Sequence, residues 1–230
     1  MGSIAANAQL VNGTNVNNMD MLLSRVILCG SFRKANKPLP STCQTGSAGR
    51  GGTTSGAAKS TAAKPPVKGL VKFSPVAGDD SFQKFTNDNG STAEEKQLML
   101  QIANATKSLF EERYAAKGWK NNVAGGFAFF IISNMTVYSG KEPGEVSQNA
   151  LFEMLDSSLS QSSEFANASN KDKQALYNTL IAYSGVPLTF FADGAQKGDK
   201  QEIEKARTIA AGYIRMFLKT EPESLLSLVE

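Results

Sequence analysis

The chain has 230 residues, 41% of them apolar and 20% charged, which is enough to bury one sizeable core or two small ones if the apolar residues are concentrated. It contains no histidine, so the commonest general base, the commonest metal ligand and every Ser-His or Cys-His nucleophile are excluded. The formal charge of +3 is unevenly spread: seven basic residues face Asp20 alone before Val67, a net +6, while the remainder carries a net −3. That remainder has no basic excess of the kind a nucleic-acid-binding domain needs.

Met1 to Asn18 is small and polar and lacks the basic and apolar regions of a secretory signal, so no signal peptide is visible in this chain. Met19 to Cys29, MDMLLSRVILC, is too short and too charged to span a membrane, and reads as a short amphipathic helix that docks on the domain or on a partner. From Ser31 to Pro66 the composition is Gly, Ser, Thr, Ala, Lys and Pro, with too little apolar surface to offset the entropy of ordering. Residues 1–66 are therefore expected to be a disordered leader and linker. The only cysteines, Cys29 and Cys43, fall within it.

A helical domain is expected over residues 67–222. Val67 to Pro75 reads as an extended lead-in that lays Leu70, Val71 and Phe73 on the domain. Asp79 or Asp80 then caps a short helix carrying Phe82 and Phe85, ended by Asn87 to Gly90. Ser91-Thr92-Ala93-Glu94 has the form of a capping box, and opens a long helix to Lys117 whose inward face is expected to be Leu98, Ile102, Ala105 and Leu109. Gly118 stops it.

Asn121 to Gly140, NNVAGGFAFFIISNMTVYSG, is apolar on nearly every side, and a helix with that pattern belongs at the centre of a bundle. The central helix is expected over Asn122 to Ser139, with the Asn122 side chain as its cap. Gly125 and Gly126 each cost about 1 kcal/mol relative to Ala in a helix interior, which implies the close approach of another backbone. Ser133 and Asn134 interrupt the apolar run and Lys120 and Lys141 bracket it, so it falls short of the roughly 20 residues a membrane span needs.

Ser139 to Glu145 is a turn, and Val146 to Leu159 a helix with Leu151, Met154, Leu155 and Leu159 inward. Ser160 to Asn170 is a polar loop anchored by Phe165. The next helix starts at Ser169 or Asn170 and buries Leu176, Leu180 and Tyr183, then kinks or breaks near Ser184-Gly185 because Pro187 has no N–H to donate. Asp199 and Glu202 open a last helix with Ile203, Ala206, Ala210, Ile214 and Phe217 inward, ended by Pro222. Residues 223–230 form an apolar tail that can fold back. The fold class is all-α: a bundle of about six helices around a buried central one.

Few residues carry chemistry. Trp119 can plug the gap between two helix ends or stand exposed as a partner contact, and its large ring favours the plug. Tyrosines such as Tyr177 on apolar stripes bury the ring and let the hydroxyl reach a polar group. The carboxylate pairs Asp79-Asp80, Glu94-Glu95 and Glu111-Glu112 could serve a hydrolase only if two carboxyls faced each other, whereas neighbours on a helix point about 100° apart. No Gly-rich loop has phosphate-binding or dinucleotide spacing, and no cofactor is implied.

Val71-Lys72-Phe73-Ser74-Pro75, then Gly118-Trp119-Lys120-Asn121-Asn122-Val123-Ala124, then Asp172-Lys173-Gln174-Ala175-Leu176-Tyr177 resemble a bacterial family of exported all-helical domains of unknown function. The resemblance covers about Leu70 to Glu221, with Asn18 to Arg25 similar to a short helical segment ahead of the linker. It implies a periplasmic or secreted location and brings no catalytic residues. The expected function is non-enzymatic binding of a protein partner in the envelope or outside the cell. The alternatives are an effector delivered by a dedicated secretion system and, more weakly, a carboxylate-based hydrolase. As sites of structural or partner contact the sequence singles out Trp119, Asn122, Tyr177 and Pro187.

Overall fold

The computed structural model describes residues 70–229. The expected disordered leader, the helix near 19–29 and both cysteines lie outside the described residues.

The regular elements of the described chain are helices: α1 Ser81–Asn89, α2 Ala93–Tyr114, α3 Val123–Ser139, α4 Glu145–Leu159, α5 Ser163–Asn167, α6 Asn170–Lys197, α7 Lys200–Leu218 and α8 Leu226–Val229. Short 3₁₀ turns at Ala115–Lys117 and Pro222–Leu225 extend α2 and lead into α8. Six of the helices run nine residues or more, the number the periodicity predicts. The only β feature among the described residues is an isolated antiparallel bridge between Lys72 and Asn122.

Helix α3 is the axis of the bundle. It packs against α6, α7 and α4, and α6 in turn packs against α2, α7 and α1. Phe127, Phe130, Ile131 and Met135 are each at most 1% exposed, and on the opposite side Ala124, Ala128 and Ile132 are buried too. Each large apolar side chain so enclosed contributes about 1.5–3 kcal/mol relative to exposure. The Asn122 Oδ1 accepts from the Ala124 N–H at 2.8 Å, the expected cap, and Gly140 ends the helix in the left-handed region with its N–H on the Thr136 carbonyl.

The compensation for Gly125 and Gly126 is visible. A Cβ at 125 would meet the Trp119 carbonyl and lie 2.7 Å from the Trp119 Cβ, while one at 126 would lie 3.1 Å from the Tyr177 ring. The approaching backbone at Gly125 thus belongs to the loop before α3, not to another helix.

Three expectations need correction. The capping box is formed by Thr92 and Glu95, one residue later than expected: Thr92 Oγ1 accepts from the Glu95 N–H and the Glu95 carboxylate accepts from the Thr92 and Ser91 N–H groups. The inward face of α2 is likewise displaced by one residue, about 100° of rotation. Ala103, Thr106, Phe110 and Tyr114 are buried, while Leu98 is 50% and Leu109 67% exposed, Ala105 is exposed and Ile102 half-buried. Two aromatic rings bury more surface than two leucines, which decides the rotation.

Helix α6 does not break at Ser184-Gly185; it runs 28 residues with Pro187 buried inside it. Gly185 serves instead as a contact, since a Cβ there would collide with the Thr106 hydroxyl and lie 3.1 Å from the Ile102 side chain. The polar loop after α4 contains the single turn α5, and Phe165 is buried as expected. At the end of the chain Leu225 is fully buried and the Tyr138 hydroxyl donates to the Glu223 carboxylate, so the tail folds back onto the bundle.

The two kinds of glycine predict opposite outcomes. Gly125→Ala is expected to lower the urea midpoint of unfolding, because the collision with the Trp119 backbone outweighs the helix-propensity gain of about 1 kcal/mol. Gly212→Ala, in an exposed helical position with open space around it, is expected to raise stability by about 0.5–1 kcal/mol.

Candidate functional site

The residues singled out by sequence converge on the junction between α2 and α3. Gly118, in the left-handed region, closes the 3₁₀ turn and sends the chain back across the end of α2. Trp119 then stacks between Tyr114, parallel at 4.3 Å, and Phe152 of α4 at 5.0 Å. At 1% exposure its indole is inaccessible to a partner.

Asn121 adopts a positive φ of 53°, which turns its carbonyl toward the Phe73 N–H at 3.0 Å. The Val123 N–H donates to the Val71 carbonyl at 2.9 Å, so the lead-in is pinned on both sides of Asn122. The Asn122 amide also donates to Asp156 Oδ1 of α4 at 3.1 Å, joining α3 to α4.

Tyr177 of α6 lies under the same junction. Its ring packs edge-on against Phe73 and Phe110, and its hydroxyl donates to Glu111 at 3.2 Å. Glu111 also meets Lys120 at 3.1 Å and Lys107 at 3.9 Å. Burial first, and then the Glu111 charge, push the Tyr177 phenol far above the usual tyrosine value. Tyr213 is raised as well, chiefly by burial. Trp119, Asn122 and Tyr177 therefore meet in one polar and aromatic clamp, while Pro187 lies nearly three turns further along α6 and takes no part in it.

The surface beside this clamp holds a cleft of about 440 Å³ over Tyr114 and Gln148. Its charges are already matched: Arg113 pairs with Glu142 at 2.5 Å and Lys117 with Glu145 at 2.8 Å, the latter contact holding the Glu145 carboxyl below its ordinary range. The Tyr114 hydroxyl donates to Gln148, whose amide donates to the Pro143 carbonyl.

The carboxylate pairs are divided between unlike partners. Asp79 accepts from Ser81 and Asn178 while Asp80 pairs with Lys84; Glu95 caps α2 while Glu94 faces solvent; Glu111 joins the Tyr177 clamp while Glu112 is exposed. Among the described residues no group of three or more His, Cys, Asp or Glu side chains is placed to hold a metal ion. No helix among them is long and apolar enough to cross a membrane.

What remains is an apolar stripe on α2 whose two leucines, Leu98 and Leu109, stay exposed among the described residues. Leu98, Ile102, Ala105 and Leu109 keep the four-three-four spacing of a helix-pairing seam, but α2 turns Leu98, Ala105 and Leu109 outward and leaves Ile102 half-buried against Gly185 of α6. The sequence pattern found these four residues and misassigned the side of the helix on which three of them lie. The competing set Phe110 and Tyr114 was the available signal.

With no histidine, no side chain has an ordinary pKa between 6 and 8, so stability is expected to vary little over that range. Above pH 10 it should fall: the unfolded chain ionises its tyrosines near 10 whereas Tyr177 and Tyr213 stay protonated in the fold, so the unfolded state gains as protons leave. Absorbance titration of phenolate against circular dichroism checks this, the two buried phenols ionising only with loss of helix.

Comparison with curated proteins and with solved structures finds no match. A family model matches residues 31–226, beginning well ahead of Leu70 and stopping short of the Asn18 to Arg25 segment. The clamp at Trp119, Asn122 and Tyr177 and the outward stripe of α2 both lie inside that range, and the chain belongs to the family of unknown function DUF6683.

Proposed function

We propose that this protein is a non-enzymatic, exported bacterial helical domain that works by binding a protein partner. The observation that carries the binding reading is the outward stripe of α2, where Leu98 and Leu109 stand 50% and 67% exposed at coiled-coil spacing. Exposed apolar side chains grouped on one helix face are a feature of contact surfaces. A helix laid along this face would meet Leu98 and Leu109 about three turns apart, with Ala105 and the exposed edge of the half-buried Ile102 between them, the helix-in-groove mode of recognition. Bacterial origin and export rest on the resemblance carried by Val71 to Pro75, Gly118 to Ala124 and Asp172 to Tyr177.

The partner this face fits is an amphipathic helix with an apolar stripe and basic flanks, because Glu94 and Glu112 stand at the two ends of the row on one side of it. A photo-reactive side chain at position 109 of the full chain, expressed in its native host, should trap a second protein through such a helix. The same group at exposed position 201 on α7 should not. Leu98→Asp should abolish the capture while changing stability by no more than about 0.5 kcal/mol, as expected of an exposed site. If position 109 traps no second protein beyond the position 201 control, the binding reading falls. Fractionation of the host with mass spectrometry of the mature N-terminus tests export separately, and a full-length product confined to the cytosol would refute it.

A further inference from the structure

Lys173 of α6 is the only Asp, Glu, Lys or Arg side chain buried among the described residues, at 8% exposure. It takes part in none of their ion pairs. Burial lowers its pKa, and no carboxylate opposes that shift. The acids on the elements around it are committed elsewhere: Asp172 accepts from Ser169, Glu111 from Tyr177 and Asp156 from Asn122. Taking a cation out of water without a counter-charge is unfavourable, and an apolar side chain of the same volume would avoid it. What lysine offers here and methionine would not is an attraction for an anion.

The backbone beside it has the same polarity. Lys173 is the fourth residue of α6, a helix of 28 residues that begins at Asn170. In its first turn the Asp172 N–H donates to the Ser169 hydroxyl at 3.2 Å and the Lys173 N–H to the Ser169 carbonyl at 3.0 Å. The N–H groups of Asn170 and Lys171 have no acceptor among the described residues, as is usual for the start of a helix. Side chains on a helix lean toward its N-terminus, so the Lys173 stem runs back over this turn and brings its ammonium beside the two free donors. A lysine covered in this way keeps its charged tip at the opening and its methylenes inside. Neighbouring helical residues point about 100° apart, so Asp172 caps another side of the turn and leaves the Lys173 side open.

The turn is also held in place. The Ser74 N–H donates to Asn170 Oδ1 at 3.4 Å, and Gln174 both accepts from the Val76 N–H at 2.6 Å and donates to its carbonyl at 3.0 Å. The lead-in thus fixes the first turn of α6 from outside, and the donors need no rearrangement to receive a ligand.

We infer that the first turn of α6 is an oxyanion site, in which the Lys173 ammonium and the Asn170 and Lys171 N–H groups hold one carboxylate or phosphate group. The donor set carries a single full charge and opens on one side, which suits the anionic end of a molecule and not a polyanion. The site lies apart from the outward face of α2 and does not depend on how that face is read.

Amide proton–nitrogen spectra of the full chain test it. At neutral pH and constant ionic strength, sodium chloride is replaced stepwise by sodium acetate and, in a separate series, by sodium phosphate. The Asn170 and Lys171 amide signals are expected to shift along a saturating curve with at least one of the two, and the tighter curve names the preferred group. Lys173→Met should weaken that binding at least about tenfold, the loss of one hydrogen bond to a charged group, while Lys173→Arg should retain most of it. The urea midpoint of Lys173→Met, followed by circular dichroism, should equal or exceed that of the parent, because an unpaired buried charge has been removed.

Shifts that fail to saturate with either anion would overturn the proposal. So would curves unchanged in Lys173→Met, which would reduce the site to a helix end attracting anions without the lysine. A lower midpoint for Lys173→Met would reveal a stabilising contact for the ammonium within the fold and remove the ground for the site.

Discussion

The contact between Gly125 and the backbone of Trp119 is the constraint from which the rest of the fold follows. Because residue 125 carries only hydrogen, the loop leaving α2 can lie directly on the first turn of α3. That approach holds the indole between Tyr114 and Phe152 and so fixes α4 against the end of α2. It also places Asn121 and Val123 where their backbones clasp the lead-in on one side and the Asn122 amide reaches Asp156 on the other. The lead-in, α2, α3 and α4 are all positioned by one short stretch, Gly118 to Val123. A helix as apolar as α3 has no preferred orientation of its own, and the clamp at its N-terminus supplies one.

The clamp is rigid for an electrostatic reason as well as a steric one. Tyr177, Glu111, Lys107 and Lys120 form a small polar cluster beside an otherwise apolar interior, in which the buried phenol has a carboxylate to donate to and the carboxylate has two ammonium groups to balance it. A buried hydroxyl without such a partner would destabilise the fold by about 1–3 kcal/mol. The elements around the clamp are thus held by specific pairings, whereas the outer face of α2, a few residues away, has none. The same helix presents a fully committed face at Phe110 and Tyr114 and an uncommitted one at Leu98 and Leu109. That asymmetry is what makes α2 the surface on which a functional reading can be built.

Pro187 shows how a local rule yields to packing. A proline in mid-helix removes one backbone bond and crowds the preceding turn, at a cost of about 3 kcal/mol. Helix α6 nevertheless continues for its full 28 residues, because the segment around Pro187 is held: α2 lies against Gly185 so closely that no side chain would fit, and Leu180, Ile181 and Val186 are buried on the same segment. The glycine that looks like a breaker in sequence is the residue that lets two helices meet.

Sequence alone determined the helical class, the number of long helices, the central place of α3, its Asn122 cap and the burial of Val71 and Phe73, because apolar periodicity, capping chemistry and the absence of hairpin signals are all local properties. It also found the four residues of the α2 stripe and the junction around Trp119. Tertiary structure decided which side of α2 faces inward, since Leu98-Ile102-Ala105-Leu109 and Ala103-Thr106-Phe110-Tyr114 are equally good helical stripes and only their neighbours choose between them. It decided too that α6 passes through Pro187 and that Gly125 opposes a loop instead of a helix, for both depend on what arrives from distant parts of the chain. A helix carrying two apolar stripes leaves its rotation open until the bundle closes around it, and here the closure leaves Leu98 and Leu109 on the outside.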